Sequence, residues 1–79
     1  MSFKEIVAET FQVDESLIND DLKYQQIEAW DSLNHLDLVS GLEEAYDIDL
    51  DMDEVISMES IARIKEILRE HGVPEDELC

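Results

Sequence analysis

Apolar residues recur at helical spacing in three separate stretches of this chain, and no two alternating runs are joined by a hairpin turn. The first stretch carries Phe3, Ile6, Val7 and Phe11, with Ser2 and Glu5 placed to form a capping box. The second places His35, Leu38, Val39, Leu42, Ala45 and Tyr46 on one side of a helix at about 100° per residue. The third brings Ile61, Ile64, Ile67 and Leu68 together. Helices are therefore expected from Phe3 to about Phe11, from Ser32 to about Tyr46 with Asp31 as N-cap, and from about Glu59 to His71, where Gly72 and Pro74 stop the last one. Between the second and third, Asp47 to Asp53 alternates and reads as extended loop, followed by a short helical turn near Asp53 to Ser57. The expected fold class is all-α: a small four-helix bundle of three longer helices and one short one. A long loop separates helices 1 and 2. Val13 to Trp30 has no period, turns are signalled by Asn19-Asp20-Asp21, and Leu17, Leu22, Ile27 and Trp30 are the expected anchors. So long a loop in a small domain is often functional. One domain, 1–79, is expected, with about 73–79 frayed.

A chain of 79 residues has little depth to spare. A domain this small buries only about 60% of the surface its unfolded chain exposes, so a cleft walled by its own residues is not expected. Chemistry here calls for a partner to complete the site. Asp and Glu number 22 against 5 Lys and Arg, a formal net charge of −17. That argues against nucleic acid and anionic membrane surfaces as partners and favours proteins with basic patches. Disorder is not expected, because 44% of the residues are hydrophobic and they fall at helical spacing. From Tyr24 to Ala62 there is no Lys or Arg, so the middle of the chain is the anionic surface. The single cysteine, Cys79, cannot form an internal disulfide and is given no function. With no membrane-length apolar run and no targeting segment, a cytoplasmic monomer is the default expectation.

Ser32 lies at the expected start of the second helix, where unpaired amides and the positive end of the helix dipole favour a nearby phosphate. On helix position alone two readings stand: Asp31 and Ser32 as a capping pair, which is the commoner arrangement, or Ser32 as a reachable hydroxyl for modification. The outward sector of the same helix adds weight to the second. Leu33 and Leu36 project away from the core stripe beside Asp37, Ser40, Glu43 and Glu44, a pattern suited to docking a basic partner with an apolar notch.

The run Trp30-Asp31-Ser32-Leu33-Asn34-His35-Leu36-Asp37-Leu38-Val39, continuing through Leu42-Glu43-Glu44-Ala45-Tyr46-Asp47-Ile48, resembles the acyl carrier protein signature, and the likeness extends over nearly the whole chain. In that family an Asp-Ser-Leu motif opens the second helix of a four-helix bundle. The resemblance implies that Ser32 receives 4′-phosphopantetheine from coenzyme A through a separate phosphopantetheinyl transferase, supported by Asp31. It implies partner recognition through Leu33, Leu36, Asp37, Glu43 and Glu44, met by acyl-loading and acyl-transfer enzymes with basic docking patches. Val39, Leu42, Tyr46 and Leu50 match positions that line an acyl pocket. The chain would then be a carrier and not an enzyme, holding acyl intermediates as thioesters in fatty-acid, polyketide or related biosynthesis, or aminoacyl, peptidyl or D-alanyl groups on the same fold. Two departures stand out. Ala29-Trp30 replaces the usual glycine near the motif, and Trp30 with His35 is more similar to stand-alone carriers found beside adenylate-forming ligases. Tyr46 replaces the usual Phe, which brings a hydroxyl that needs a partner if buried and suits a short or polar cargo.

Other readings compete. Ser32 and His35 stand at i and i+3 and could touch, but a hydrolase needs an orienting acid and an oxyanion hole that no sequence feature supplies; His35 reads better as a packing residue. Asp47, Asp49, Asp51 and Asp53 imitate the start of an EF-hand loop, yet Met52 and Met58 hold the places where glycine and a bidentate glutamate are required, so no metal site is expected. An acidic interaction domain with an unmodified Ser32 and an EF-hand-like binding module are the remaining alternatives.

Overall fold

A computed structural model describes residues 2–78. Five α-helices appear among them: α1 (Phe3–Phe11), α2 (Ser32–Tyr46), α3 (Met52–Ser57), α4 (Ile61–Glu70) and α5 (Glu75–Leu78), with a 3-10 turn at Glu15–Leu17. The all-α expectation holds, and α2 has the bounds read from the sequence. The fifth helix is an addition. Residues from Val73 on were expected to fray; instead Val73 and Leu78 are buried, and α5 packs its one apolar side chain into the core. Cys79 lies outside the described residues.

Local chemistry accounts for each start and stop. Ser2 and Glu5 form the capping box on α1, with the Ser2 hydroxyl accepting from the Glu5 N–H at 3.3 Å. Asp31 caps α2, Asp51 and Glu54 form a second capping box on α3, and Ser60 caps α4. Because Ser60 is the cap, α4 begins at Ile61 and not at Glu59. It ends at Glu70 with His71 as C-cap, and the chain then turns at Gly72, whose φ of +89° suits a residue without a Cβ. Asp47 ends α2 in the left-handed region at φ 53°, a conformation that aspartate tolerates better than most side chains.

The core joins Phe3, Ile6, Val7 and Phe11 of α1, Leu38, Val39 and Leu42 of α2, Met58, and Ile61, Ile64, Ile67 and Leu68 of α4. The long loop is stitched to this core. Leu22 and Trp30 are buried as expected and Ile27 is half-buried, but Leu17 is 47% exposed. The 3-10 turn points Leu17 outward and brings the next residue, Ile18, into the core in its place. Ala45 is a second correction: expected on the core stripe, it is exposed and lines a groove between α1, α2 and α5. The loop also pairs briefly with the start of α4. The Tyr24 N–H donates to the Glu59 carbonyl at 2.8 Å, the Ile61 N–H to the Leu22 carbonyl at 2.9 Å, and Lys65 reaches Asp20 at 2.7 Å. At the other end of α4, His71 meets Glu54 of α3 at 2.7 Å.

Candidate functional site

Ser32 is the first helical residue of α2 and is exposed. The capping work belongs to its neighbour: the Asp31 carboxylate accepts from the Asn34 N–H at 2.8 Å. The Ser32 hydroxyl is thus not spent on the backbone, and its partner among the described residues is the Tyr24 phenol, which donates to it at 3.3 Å.

Behind the serine lies a small aromatic cluster. Trp30 is fully buried, tilted against Phe11 at 5.4 Å and met edge-on by Tyr24 at 6.1 Å. Its indole N–H donates to His35 Nδ1 at 2.9 Å, and the opposite ring nitrogen, Nε2, lies 3.0 Å from the Val55 carbonyl. An indole can only donate, so Nδ1 must be the acceptor and Nε2 must carry the proton that reaches Val55. One imidazole therefore joins the loop, α2 and α3. Asn34 adds a further bond, from its side-chain amide to the Ala29 carbonyl at 2.6 Å. With both nitrogens committed, His35 is a packing residue as expected and is not aimed at Ser32 as a base.

The residues expected to meet partners separate into groups. Leu33 and Leu36 are 73% and 55% exposed. Glu43 does not project outward with them: it is half-buried, and its carboxylate accepts from the Leu50 N–H at 2.9 Å, holding the loop that follows α2. Asp37 and Glu44 are exposed but line a groove of about 950 Å³ between α1, α2 and α5, together with Glu9, Gly41, Ala45, Tyr46 and Glu77. The four residues expected around an acyl pocket also part company. Val39 and Leu42 are core, Leu50 packs against the core half-buried, and of the four only Tyr46 lines that groove. The Tyr46 hydroxyl oxygen is buried and has no hydrogen-bond partner among the described residues. Burial pushes its phenol above the usual range, and the nearby Glu77 carboxylate adds to the effect. In the acidic stretch that imitates an EF-hand, Asp51 is occupied as the α3 cap.

Sequence reasoning missed three features. Tyr24 beside Ser32 has no local signature, since the two stand eight positions apart across irregular loop. The Trp30–His35 bond crosses a helix cap, where no periodic rule applies. Met52 and Ile56 are 71% and 69% exposed on α3, and their i, i+4 spacing was a signal available in the sequence.

No family model matches the sequence. Among solved structures, the chain is similar to the holo acyl carrier protein from Geobacter metallireducens determined by solution NMR, with a TM-score of 0.71 at 23% identity over 92% of this chain and 90% of that one. The chain has the acyl carrier protein fold. At this identity the likeness speaks for the fold, and it agrees with the resemblance carried by the Asp31-Ser32-Leu33 run. Among the described residues, no helix is long and apolar enough to cross a membrane.

Proposed function

We propose that this chain is an acyl carrier protein whose Ser32 bears a 4′-phosphopantetheine arm. The observation that carries the reading is the division of labour at the start of α2: Asp31 caps the helix, so Ser32 keeps an exposed hydroxyl that is not spent on capping. The capping-pair reading of the two residues thereby loses its main support.

The local residues fit the group. The Ser32 and Leu33 amides at the positive end of a helix of 15 residues face no partner among the described residues, which suits a phosphodiester. Loading joins Ser32 Oγ to the pantetheine-bearing phosphorus of coenzyme A, breaks the pyrophosphate bond, releases adenosine 3′,5′-bisphosphate and gives the serine proton to solvent. The arm supplies a thiol that holds the acyl group as a thioester. The chain itself supplies a rigid mount and an address: exposed Leu33 and Leu36 on a surface whose central segment has no Lys or Arg, suited to transferases and acyl-handling enzymes with basic patches. In this reading the chain is a carrier, and the engagement of both His35 nitrogens supports it over a hydrolase in which His35 serves Ser32 as a base. A cytoplasmic setting, where coenzyme A and such partners meet, fits this role.

The unpartnered Tyr46 hydroxyl favours a cargo with a polar group over a purely aliphatic chain, since a buried phenol gains from any acceptor brought to it. An aminoacyl or D-alanyl group belongs to that class. The test of the main reading is intact mass after incubation with coenzyme A, magnesium and a broad-specificity phosphopantetheinyl transferase. A single phosphopantetheine increment is expected on the wild type and none on Ser32→Ala. No increment on the wild type, or one that survives the substitution, overturns the proposal.

A further inference from the structure

We infer that Tyr24 positions the Ser32 hydroxyl for loading and afterwards donates to the phosphodiester of the arm, an inference that rests on Ser32 being the attachment point. Tyr24 is the side chain that reaches Ser32 Oγ, at 3.3 Å, and it does so from a different part of the chain.

Its position is fixed from three directions. The Tyr24 N–H is held by the Glu59 carbonyl at 2.8 Å, within the short pairing of Lys23 with Ser60. The ring stands edge-on to Trp30 at 6.1 Å, and Trp30 has no freedom of its own, being fully buried and bonded to His35. The His35 ring closes the third side at 5.2 Å. What stays free is the torsion of the phenolic O–H. Oxygen–oxygen hydrogen bonds usually fall between about 2.5 and 3.0 Å, so a contact of 3.3 Å is weak and readily exchanged for a better acceptor.

The electrostatic setting makes a neutral donor valuable. A phosphodiester on Ser32 adds a negative charge beside Asp31, and the segment from Tyr24 to Ala62 contains no Lys or Arg to meet it. Of the amides in the first turn, that of Asn34 is taken by the Asp31 carboxylate and that of His35 by the Asp31 carbonyl, at 2.8 Å each. The amides of Ser32 and Leu33 remain, with the Tyr24 phenol as the side-chain donor already in place. A hydrogen bond to an ionised acceptor is roughly twice as strong as one between neutral groups, so the phenol gains by turning from Oγ to a phosphate oxygen. Before loading, its donation to Oγ orients the serine while leaving the serine's own proton available for removal.

Tyr24→Phe separates this role from packing, because it keeps the ring and removes only the hydroxyl. Wild type and variant are loaded with coenzyme A and transferase, loading is verified by intact mass, and the phosphorus-31 resonance of the attached arm is compared. The expected result is a displaced phosphorus resonance in the variant, a shift of the Tyr24 ring ζ-carbon on loading of the wild type, and loading slowed by about two- to tenfold at unchanged melting temperature. Ser32→Thr with Tyr24 intact serves as a second variant, since it retains a hydroxyl for the phenol to meet; its Tyr24 resonance should match that of the unloaded wild type. Identical phosphorus resonances in wild type and Tyr24→Phe would overturn the inference and leave the carrier reading standing. A wild type that gains no mass overturns both.

Discussion

The two ends of α2 are built on opposite plans. At the N-terminal end the buried polar groups are matched: the Trp30 indole N–H has its acceptor, both His35 nitrogens are engaged, and the Asn34 amide is tied to Ala29. At the C-terminal end the Tyr46 hydroxyl is buried and unmatched, beside a groove whose carboxylates Glu9, Asp37, Glu44 and Glu77 meet no cation among the described residues. A fully satisfied network holds one arrangement, which is what a serine presented to other enzymes requires. An unsatisfied polar atom is stability left unused, and it lies at the end of α2 farther from that serine.

The largest effects should come from the matched end. Trp30→Ala removes a side chain at the centre of the aromatic cluster and should cost about 3–5 kcal/mol, comparable with the whole stability of so small a domain. Loss of helical circular dichroism at 25 °C is the expected readout. Trp30→Phe is the sharper probe, because it retains a packed ring but takes away the indole N–H that donates to His35 Nδ1. A loss of about 1–3 kcal/mol in denaturant titration is expected, and a loss near zero would show that the bond adds nothing beyond packing. Asp31→Ala should cost about 1 kcal/mol as a lost N-cap, with the change confined to the first turn of α2 in amide chemical shifts.

How much of this contrast could be read in the sequence follows from the range of each signal. Caps and periodic stripes are local, so α2 and the caps at Ser2 and Asp31 were legible residue by residue. The candidate serine was legible too, but from the motif around it more than from helix position. The Trp30–His35–Val55 chain and the Tyr24–Ser32 contact were not, because each joins residues brought together only when the irregular loop docks on α2 and α4. The tail was misread because Gly72 and Pro74 mark the end of α4 and say nothing about Val73 and Leu78, whose burial depends on a space between other helices. Glu43 was misread for the same reason: its heptad position is outward, but the loop after α2 folds back and offers it the Leu50 amide.

At the unmatched end the same kind of substitution should carry the opposite sign. Tyr46→Phe deletes a buried hydroxyl that has no partner among the described residues, so the unloaded protein should gain up to about 1 kcal/mol, seen as a higher denaturation midpoint with an unchanged slope. A fall in the midpoint would mean that the hydroxyl finds a partner in solution, and the contrast between the ends of α2 would collapse.

The smallest effect concerns α5, which contributes Glu77 to the groove and is clipped to α4 by Arg69 and Glu75 at 2.7 and 2.8 Å. The bond from Arg69 holds the Glu75 carboxyl below its ordinary value of 4.5. A carboxylate lowered on folding contributes stability that is complete above its unfolded value and is lost as the pH falls through the lower folded one. Acidification from about pH 6 to about pH 3 should therefore loosen α5. Both partners are exposed, so the clip is weak and salt should imitate acid. Amide relaxation of residues 75–78 followed across that range measures the effect. If added salt moves the Trp30 indole signal before it loosens α5, the more labile end of the molecule is the one that holds the serine, and the matched network is not what keeps it in place.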